Sequence, residues 1–281
     1  MSTSHKQSQS KKRIALIIQY SGNRFHGWQR QPYRRTVQAD IENTITKSLG
    51  YKVSIHGAGR TDAGVHATGQ VAHFDYAGPI PPKSLARVLN RYLPEDILIR
   101  NSKEVSINWH ARFSAQWRRY RYTLYTNNDC NLLIKSYSWH YYRYPLKVKS
   151  MLDALKSLLG THHLTAFRKK GSQRNHSWVE IQDVECYRKG AFIHVEIQAN
   201  GFLYGMVRLL MGMLVEVGID KLSLANFNQI WRDQKREYVR HSAPANGLCL
   251  LGVGYPDFPF SSNTYLDTQP LFETNQIIHK D

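Results

Sequence analysis

The strongest constraint in this chain is a glycine-rich loop caught between two strand patterns. Residues 57–64 read Gly-Ala-Gly-Arg-Thr-Asp-Ala-Gly and set one carboxylate, Asp62, beside one cation, Arg60. Residues 53–56 read as a strand leading in. Residues 70–76 read as a strand leading out, with Ala72, Phe74 and Tyr76 alternating along it. Glycine opens backbone angles closed to other residues and lets a ligand approach the main chain. A loop tied down at both ends by strands can therefore aim a carboxylate into a cleft. The plainer outcome of the same residues is a tight turn carrying a surface ion pair.

The rest of the pattern predicts strands with helices between them. A strand over 13–20 leads to a loop containing Gly27-Trp28-Gln29. Thr36 is placed to cap a helix in which Val37, Ile41, Ile45 and Leu49 share a face, and Gly50 to stop it. A second helix starts near Pro82, and 97–100 is a short strand. In the second half, a strand over 118–125 puts Tyr120, Tyr122 and Leu124 on one face. Residues 148–159 form a helix ended by Gly160, and 178–187 with 192–198 form a hairpin closed near Gly190. An apolar helix over 204–217 stops at Gly218, and 248–253 is a late strand. Such hairpin-like links favour an α+β fold with antiparallel sheet over a doubly wound parallel one. A weak shift in composition near 105–115 divides the chain into an N-terminal α+β half, 13–110, carrying the glycine loop, and a C-terminal α+β half, 111–256. Residues 1–12 are polar, basic and aperiodic, so they are expected to be disordered. Residues 257–281 read as a polar tail with scattered aromatics.

Charge narrows the class of partner. The chain carries 38 Lys plus Arg against 21 Asp plus Glu, a net charge of +17, which favours a polyanion. Rings alternate with cations in Trp117-Arg118-Arg119-Tyr120-Arg121-Tyr122 and again in Trp139-His140-Tyr141-Tyr142-Arg143-Tyr144. Rings beside guanidinium groups suit RNA with exposed bases. The first stripe also fits a strand whose tyrosines face the core while its arginines face water. Cys130, Cys186 and Cys249 are far apart and read as buried thiols of a reducing compartment. The apolar run 14–18 is too short for a membrane span or a signal-peptide core. A cytoplasmic protein with no membrane partner is expected.

Residues 59–66, Gly-Arg-Thr-Asp-Ala-Gly-Val-His, resemble the active-site motif of the TruA family of tRNA pseudouridine synthases. Residues 200–208, Asn-Gly-Phe-Leu-Tyr-Gly-Met-Val-Arg, resemble that family's third motif. Gly27-Trp28-Gln29 with Gln31, Thr36-Val37-Gln38, Ala166-Phe167-Arg168 with Gly171-Ser172, and Ala243-Pro244-Ala245-Asn246-Gly247-Leu248 resemble family segments as well. The resemblance runs from about Arg13 to Pro256. It implies the pseudouridine synthase fold, two α+β halves whose largely antiparallel sheets meet around a central basic cleft. It implies isomerisation of uridine to pseudouridine in the anticodon stem-loop of tRNA, at positions 38, 39 and 40, by a homodimer. It also implies Asp62 as the nucleophile, Arg208 as its salt-bridge partner and Arg60 as the residue that enters the RNA helix to flip the target base. Tyr120 matches the family's active-site tyrosine, with Tyr122 the alternative on the same strand face. The chain departs from the family at His162-His163-Leu164, where many members have His-Asp-Phe, and at Val179-Glu180, where many have Arg-Thr.

Pseudouridine formation breaks the bond from ribose C1′ to uracil N1, turns the base, and bonds C5 to the same carbon. No redox change occurs and no phosphoryl group moves, so neither a cofactor nor a metal is expected. One ionised carboxylate suffices as nucleophile. An arginine opposes the desolvation that would neutralise it. Arg60 is close in sequence, whereas Arg208 lies among Val207, Leu209 and Leu210 in an apolar helix. Three other readings are weaker. A metal-dependent hydrolase built on Asp62, His66, His162 and His163 lacks any HExxH or CxxC array. A non-catalytic RNA-binding protein has no use for Asp62, Arg60, Tyr120 and Arg208 together. A nucleotide loop at Gly57-Ala58-Gly59 lacks the third glycine and the helix that should follow.

Overall fold

The computed structural model describes residues 11–171, 175–257 and 259–260. The basic N-terminal residues before Lys11, Ser172, and the tail beyond Phe260 lie outside the described residues.

Among the described residues, ten strands form a single sheet. They are β1 (Lys12–Tyr20), β2 (His56–Gly57), β3 (His66–Tyr76), β4 (Ile97–Val105), β5 (Trp117–Tyr125), β6 (Trp139–His140), β7 (Gly160–His163), β8 (Trp178–Lys189), β9 (Phe192–Ala199) and β10 (Leu248–Gly254). The main path runs β4-β1-β3-β10-β5-β9-β8-β7, with β2 on β3 and β6 on β5. Nearly all pairings are antiparallel, as the hairpin-like links predict; β10 runs parallel to β3, and β6 to β5. The two halves are therefore joined as one hydrogen-bonded sheet. The seam between them, Cys249 opposite His66 and Leu250 opposite Ala67, follows directly on the glycine-rich loop.

Helices α1 (Val37–Leu49) and α2 (Leu85–Leu89) belong to the first half, and α3 (Val148–Lys156), α4 (Met206–Gly218) and α5 (Leu224–Arg232) to the second. The start of α1 is set by Thr36, whose hydroxyl accepts the Ala39 N–H, and its end by Gly50 in the left-handed region at φ 78°. Losing such a cap costs about 1 kcal/mol. The core is continuous across the halves. Ile14, Leu16 and Ile18 of β1, Val195 and Ile197 of β9, and Leu210 and Leu214 of α4 are all buried in it. No helix among the described residues is long and apolar enough to cross a membrane.

Several expected boundaries move. The strand leading into the loop is only His56–Gly57, whereas the one leading out begins at His66. β1 starts at Lys12, inside the segment expected to be disordered. β4 extends to Val105. Short strands β6 and β7, with two and four residues, have too little periodicity to be seen in the sequence, whereas helix α5, capped by Ser223 with Phe227, Ile230 and Trp231 buried on one face, is simply absent from the expected elements. Cys130 is exposed, so the three cysteines are not uniformly buried.

The first basic-aromatic stripe resolves into two opposed faces of β5. Tyr120, Tyr122 and Leu124 are buried in the core. On the other face Arg119 pairs with Asp183, Glu185 and Glu196, and Arg121 pairs with Glu196. These arginines are neither solvated nor open to a phosphate, because carboxylates from β8 and β9 already neutralise them. The second stripe stays open: Tyr142 and Tyr144 are exposed, and His140 stacks on Tyr142 with ring centroids 4.7 Å apart.

Candidate active site

The loop between β2 and β3 is pinned at nearly every residue. Ala58 donates its N–H to Val71 O at 2.7 Å, and Gln70 donates its side-chain amide to Gly59 O at 2.9 Å. The Thr61 carbonyl accepts the Trp28 N–H at 3.1 Å, and its hydroxyl shares a buried 2.8 Å hydrogen bond with Tyr20. Val65 N–H closes the turn on Asp62 O at 3.2 Å, and Gly64 N–H reaches Phe25 O at 3.2 Å. Two of the glycines are demanded by geometry. Gly64 has φ +80°, and a Cβ on Gly57 would lie 2.7 Å from the Trp28 indole. Gly59 has open space beside it.

Asp62 thus stands on a rigid turn, with its side chain 18% exposed. Arg208, from the first turns of α4, donates Nη1–H to Asp62 Oδ2 at 3.2 Å and Nε–H to Ala243 O at 2.8 Å. The second bond fixes the guanidinium from behind. The aspartate and this arginine are 146 residues apart in sequence. Asp62 Oδ1 accepts no hydrogen bond among the described residues, so one oxygen of the carboxylate is held and the other is free.

Tyr120 is buried at 8% exposure, edge-on to Phe202 with centroids 5.0 Å apart. Burial pushes its phenol up, and the charges of Tyr20 and Asp62 push the same way, so the hydroxyl stays protonated beside the carboxylate. Tyr122 lies deeper. Its hydroxyl donates to Pro244 O at 2.8 Å, and its ring packs where a Cβ on Gly247 would otherwise sit. Tyr122 is thereby committed to packing, whereas Tyr120 is the tyrosine that borders Asp62. Arg60 is exposed and makes no hydrogen bond or ion pair among the described residues. It is the member of the constellation that is not hydrogen-bonded to the Asp62–Arg208 pair.

The alternative pairing of Asp62 with His66 is not formed. His66 Nδ1 accepts the Gly22 N–H at 3.0 Å, which leaves Nε2 to carry the proton donated to Ser136 O at 3.0 Å. Burial lowers its pKa to about 4, so the ring is neutral and both nitrogens are engaged. His162 and His163 lie on β7, at the far edge of the sheet from β3. A cavity of about 320 Å³ lined by Lys11, Arg13, Lys52, His56 and Asp75 contains none of the site residues. Sequence reasoning missed the Tyr20 hydroxyl that holds Thr61 and the Ala243 carbonyl that holds Arg208. No local pattern announces either contact.

A family model described as tRNA pseudouridine synthase matches residues 16–114 and 154–256. The chain belongs to the tRNA pseudouridine synthase family. It is 62% identical to a tRNA pseudouridine synthase A of Rippkaea orientalis, over 97% of this chain and 93% of that one. It is 59% identical to a tRNA pseudouridine synthase A of a Nostoc species, over 96% and 95%, and 56% identical to one of a Synechocystis species, over 95% and 97%. Both matched stretches of this pseudouridine synthase carry part of the site: the first holds Asp62 and Arg60, the second Arg208. The departures from the family pattern are neighbours in space, since His162 pairs with Val179 and Thr161 with Glu180 at the β7–β8 edge. They therefore alter one patch of the molecule rather than two.

Proposed function

We propose that this protein isomerises uridine to pseudouridine in the anticodon stem-loop of tRNA, at positions 38, 39 and 40, with Asp62 as the nucleophile. The observation that carries the reading is the half-held carboxylate: Asp62 is anchored through Oδ2 by Arg208, and Oδ1 is left for the substrate. The guanidinium supplies a fixed countercharge to the carboxylate as RNA displaces water from around it. In the reaction the C1′–N1 bond breaks, a C1′–C5 bond forms, C5 loses its proton and N1 gains one. The product has the atoms of the substrate, so nothing is oxidised or reduced and no cofactor or metal is required.

The target base must leave its stack to reach a carboxylate in a protein loop. Arg60, exposed on the same loop, enters the helix as the uridine leaves. Tyr120 supplies the ring against which the flipped base rests, its hydroxyl protonated. The half over 13–110 contributes Asp62 and Arg60, and the half over 111–256 contributes Tyr120 and Arg208. Basic surface on both halves carries the tRNA backbone. The protein acts in the cytoplasm as a homodimer.

The test is pseudouridine mapping of tRNA treated with the purified protein. Pseudouridine is expected at positions 38 to 40 and is expected to be absent after treatment with Asp62→Asn. Unmodified anticodon stem-loops, or full modification by Asp62→Asn, would overturn the reading. Light scattering at micromolar concentration is expected to report about twice 32.6 kDa, and an active monomer would remove the homodimer.

A further inference from the structure

Arg118 has no part in the roles assigned so far, yet it is tied to more of the site than any of them. It lies on β5 on the same face as Tyr120, and its residue is only 9% exposed. Its guanidinium donates to main-chain carbonyls of separate segments. Nη2 reaches Ala58 O at 2.9 Å and Arg112 O at 2.8 Å; Nη1 reaches Asn200 O at 2.8 Å and Ala115 O at 3.3 Å.

Each segment matters to the site. Ala58 is where the chain enters the loop that carries Arg60 and Asp62. Asn200 opens the stretch that leads into α4 and so to Arg208. Arg112 and Ala115 belong to the connection from β4 to β5, the link between the halves. One planar, permanently charged group therefore spans the loop holding the carboxylate, the approach to the helix holding its arginine, and the connection between β4 and β5. An apolar side chain would take this donor from all four carbonyls, of which the one on Ala58 belongs to a buried residue. A lysine keeps the charge but has no fork to reach them together.

Placement next to the chemistry supports the same reading. The positive charge of Arg118 acts on Tyr120, opposing the rise in its phenol pKa. The Asp62–Arg208 contact is a single hydrogen bond of 3.2 Å, too slight by itself to hold two segments from different halves in register. Arg118 joins the roots of the same two segments from beneath.

We propose that Arg118 is a positioning residue for the isomerisation, setting the separation of Asp62 and Arg208 by clamping the segments that carry them. The proposal rests on the reading of Asp62 as nucleophile and Arg208 as its partner.

The experiment compares Arg118→Lys and Arg118→Met with the unaltered protein, using the full chain and folded tRNA. Two quantities are read: the single-turnover rate of tritium release from 5-tritiated uridine, and tRNA affinity by filter binding at fixed salt. A small misplacement of reacting groups costs about 100-fold in rate, so Arg118→Met is expected to lose on that order while tRNA affinity stays within about threefold. Arg118→Lys is expected to lose about 10-fold, with affinity unchanged. Guanidinium ion at low millimolar concentration is expected to restore part of the rate to Arg118→Met and none to Asp62→Asn. Should Arg118→Met fail to fold, Arg118→Lys decides alone. A wild-type rate in Arg118→Lys, or rate and affinity falling together, overturns the proposal. An active Asp62→Asn would instead remove the reading beneath it, so the two failures are distinguishable.

Discussion

Asp62, on the loop that enters β3, and Glu196, on β9, are both carboxylates bound to arginine, and the fold treats them in opposite ways. Glu196 is saturated. Arg119 Nε donates to its Oε2 at 2.6 Å, Arg121 Nε donates to its Oε1 at 2.8 Å, and the Tyr187 hydroxyl adds a 3.3 Å bond. Its side chain is 5% exposed, and Arg119 continues to Asp183 and Glu185. Asp62 is 18% exposed, with one oxygen held by one arginine at 3.2 Å and the other free among the described residues. A carboxylate that joins strands has both oxygens occupied and little water near it. A carboxylate that meets a substrate must be held firmly enough to stay charged and loosely enough to present an oxygen. The contrast separates a structural charge from a chemical one without reference to the family.

The largest effect should come from breaking the chemical member. Asp62→Asn keeps the shape of the loop and removes the charge. Tritium release from 5-tritiated uridine in tRNA is expected to fall below detection, beyond the roughly 10²- to 10⁴-fold range of ordinary acid–base help. Filter binding at fixed salt is expected to change little, since phosphate contacts dominate affinity. Near-normal release would make Asp62 another structural charge and erase the comparison.

Breaking the structural member should show the reverse pattern. Glu196→Gln removes the carboxylate charge shared by Arg119 and the buried Arg121, and a cost of about 3 kcal/mol is expected. Urea titration should show the midpoint falling while the rate per folded molecule holds. A drop in rate without a loss of stability would mean that the two ion pairs are not separate in role.

Acid sharpens the comparison through two buried histidines, His66 and His73. His66 is lowered from 6.5 to about 4, and His73 to about 3, chiefly by burial. The unfolded chain therefore binds protons that the folded chain does not. Their contribution to stability is complete above pH 6.5 and is lost as pH falls from there toward 4 and then 3. His66 alone accounts for about 3 kcal/mol of that loss. Thermal unfolding followed from pH 7 to pH 4 should show the decline, and His66→Gln should flatten part of it. An unchanged slope would mean that His66 is not the buried neutral ring described.

Arg60 and Tyr120 give the smallest expected effects and separate the site's exposed part from its buried part. Arg60→Ala is expected to slow turnover about 10-fold on a well-paired stem and to recover when the target uridine is mismatched, because unstacking then costs less. Tyr120→Phe retains the ring against Phe202 and loses only the hydroxyl. Its smaller loss in rate should not respond to the mismatch. Identical responses from the two variants would reject the flipping role of Arg60.

Much of the fold was legible where a few neighbouring residues state it. Thr36 and Gly50 bracket α1 because a cap hydroxyl and a left-handed glycine act within one turn. The alternation of Tyr120, Tyr122 and Leu124 marked the buried face of β5 because a strand repeats every two residues. The strand leading into the loop shrank to His56–Gly57, since its pairing depends on where β3 lies rather than on its own residues. The arginines of the first stripe misled for the same kind of reason. Arg119 and Arg121 look alike as sequence whether they face RNA or carboxylates, and only the register that sets Arg121 opposite Glu196 decides.

The site divides along that line. By itself the sequence determined that Asp62 and Arg60 share a glycine-rich loop between strands, that the chain is strongly basic, and that Arg208 sits in an apolar helix. These are properties of composition, backbone angle and period, each carried by adjacent residues. Only the tertiary structure decided that Arg208 reaches Asp62, that His66 is occupied by Gly22 and Ser136, that Arg60 is left exposed, and that Arg118 clamps the roots of the loop. A charge or a hydrogen-bonding group does not encode its distant partner in the residues around it. That choice is made when β10 closes the seam against β3 and brings the two halves together.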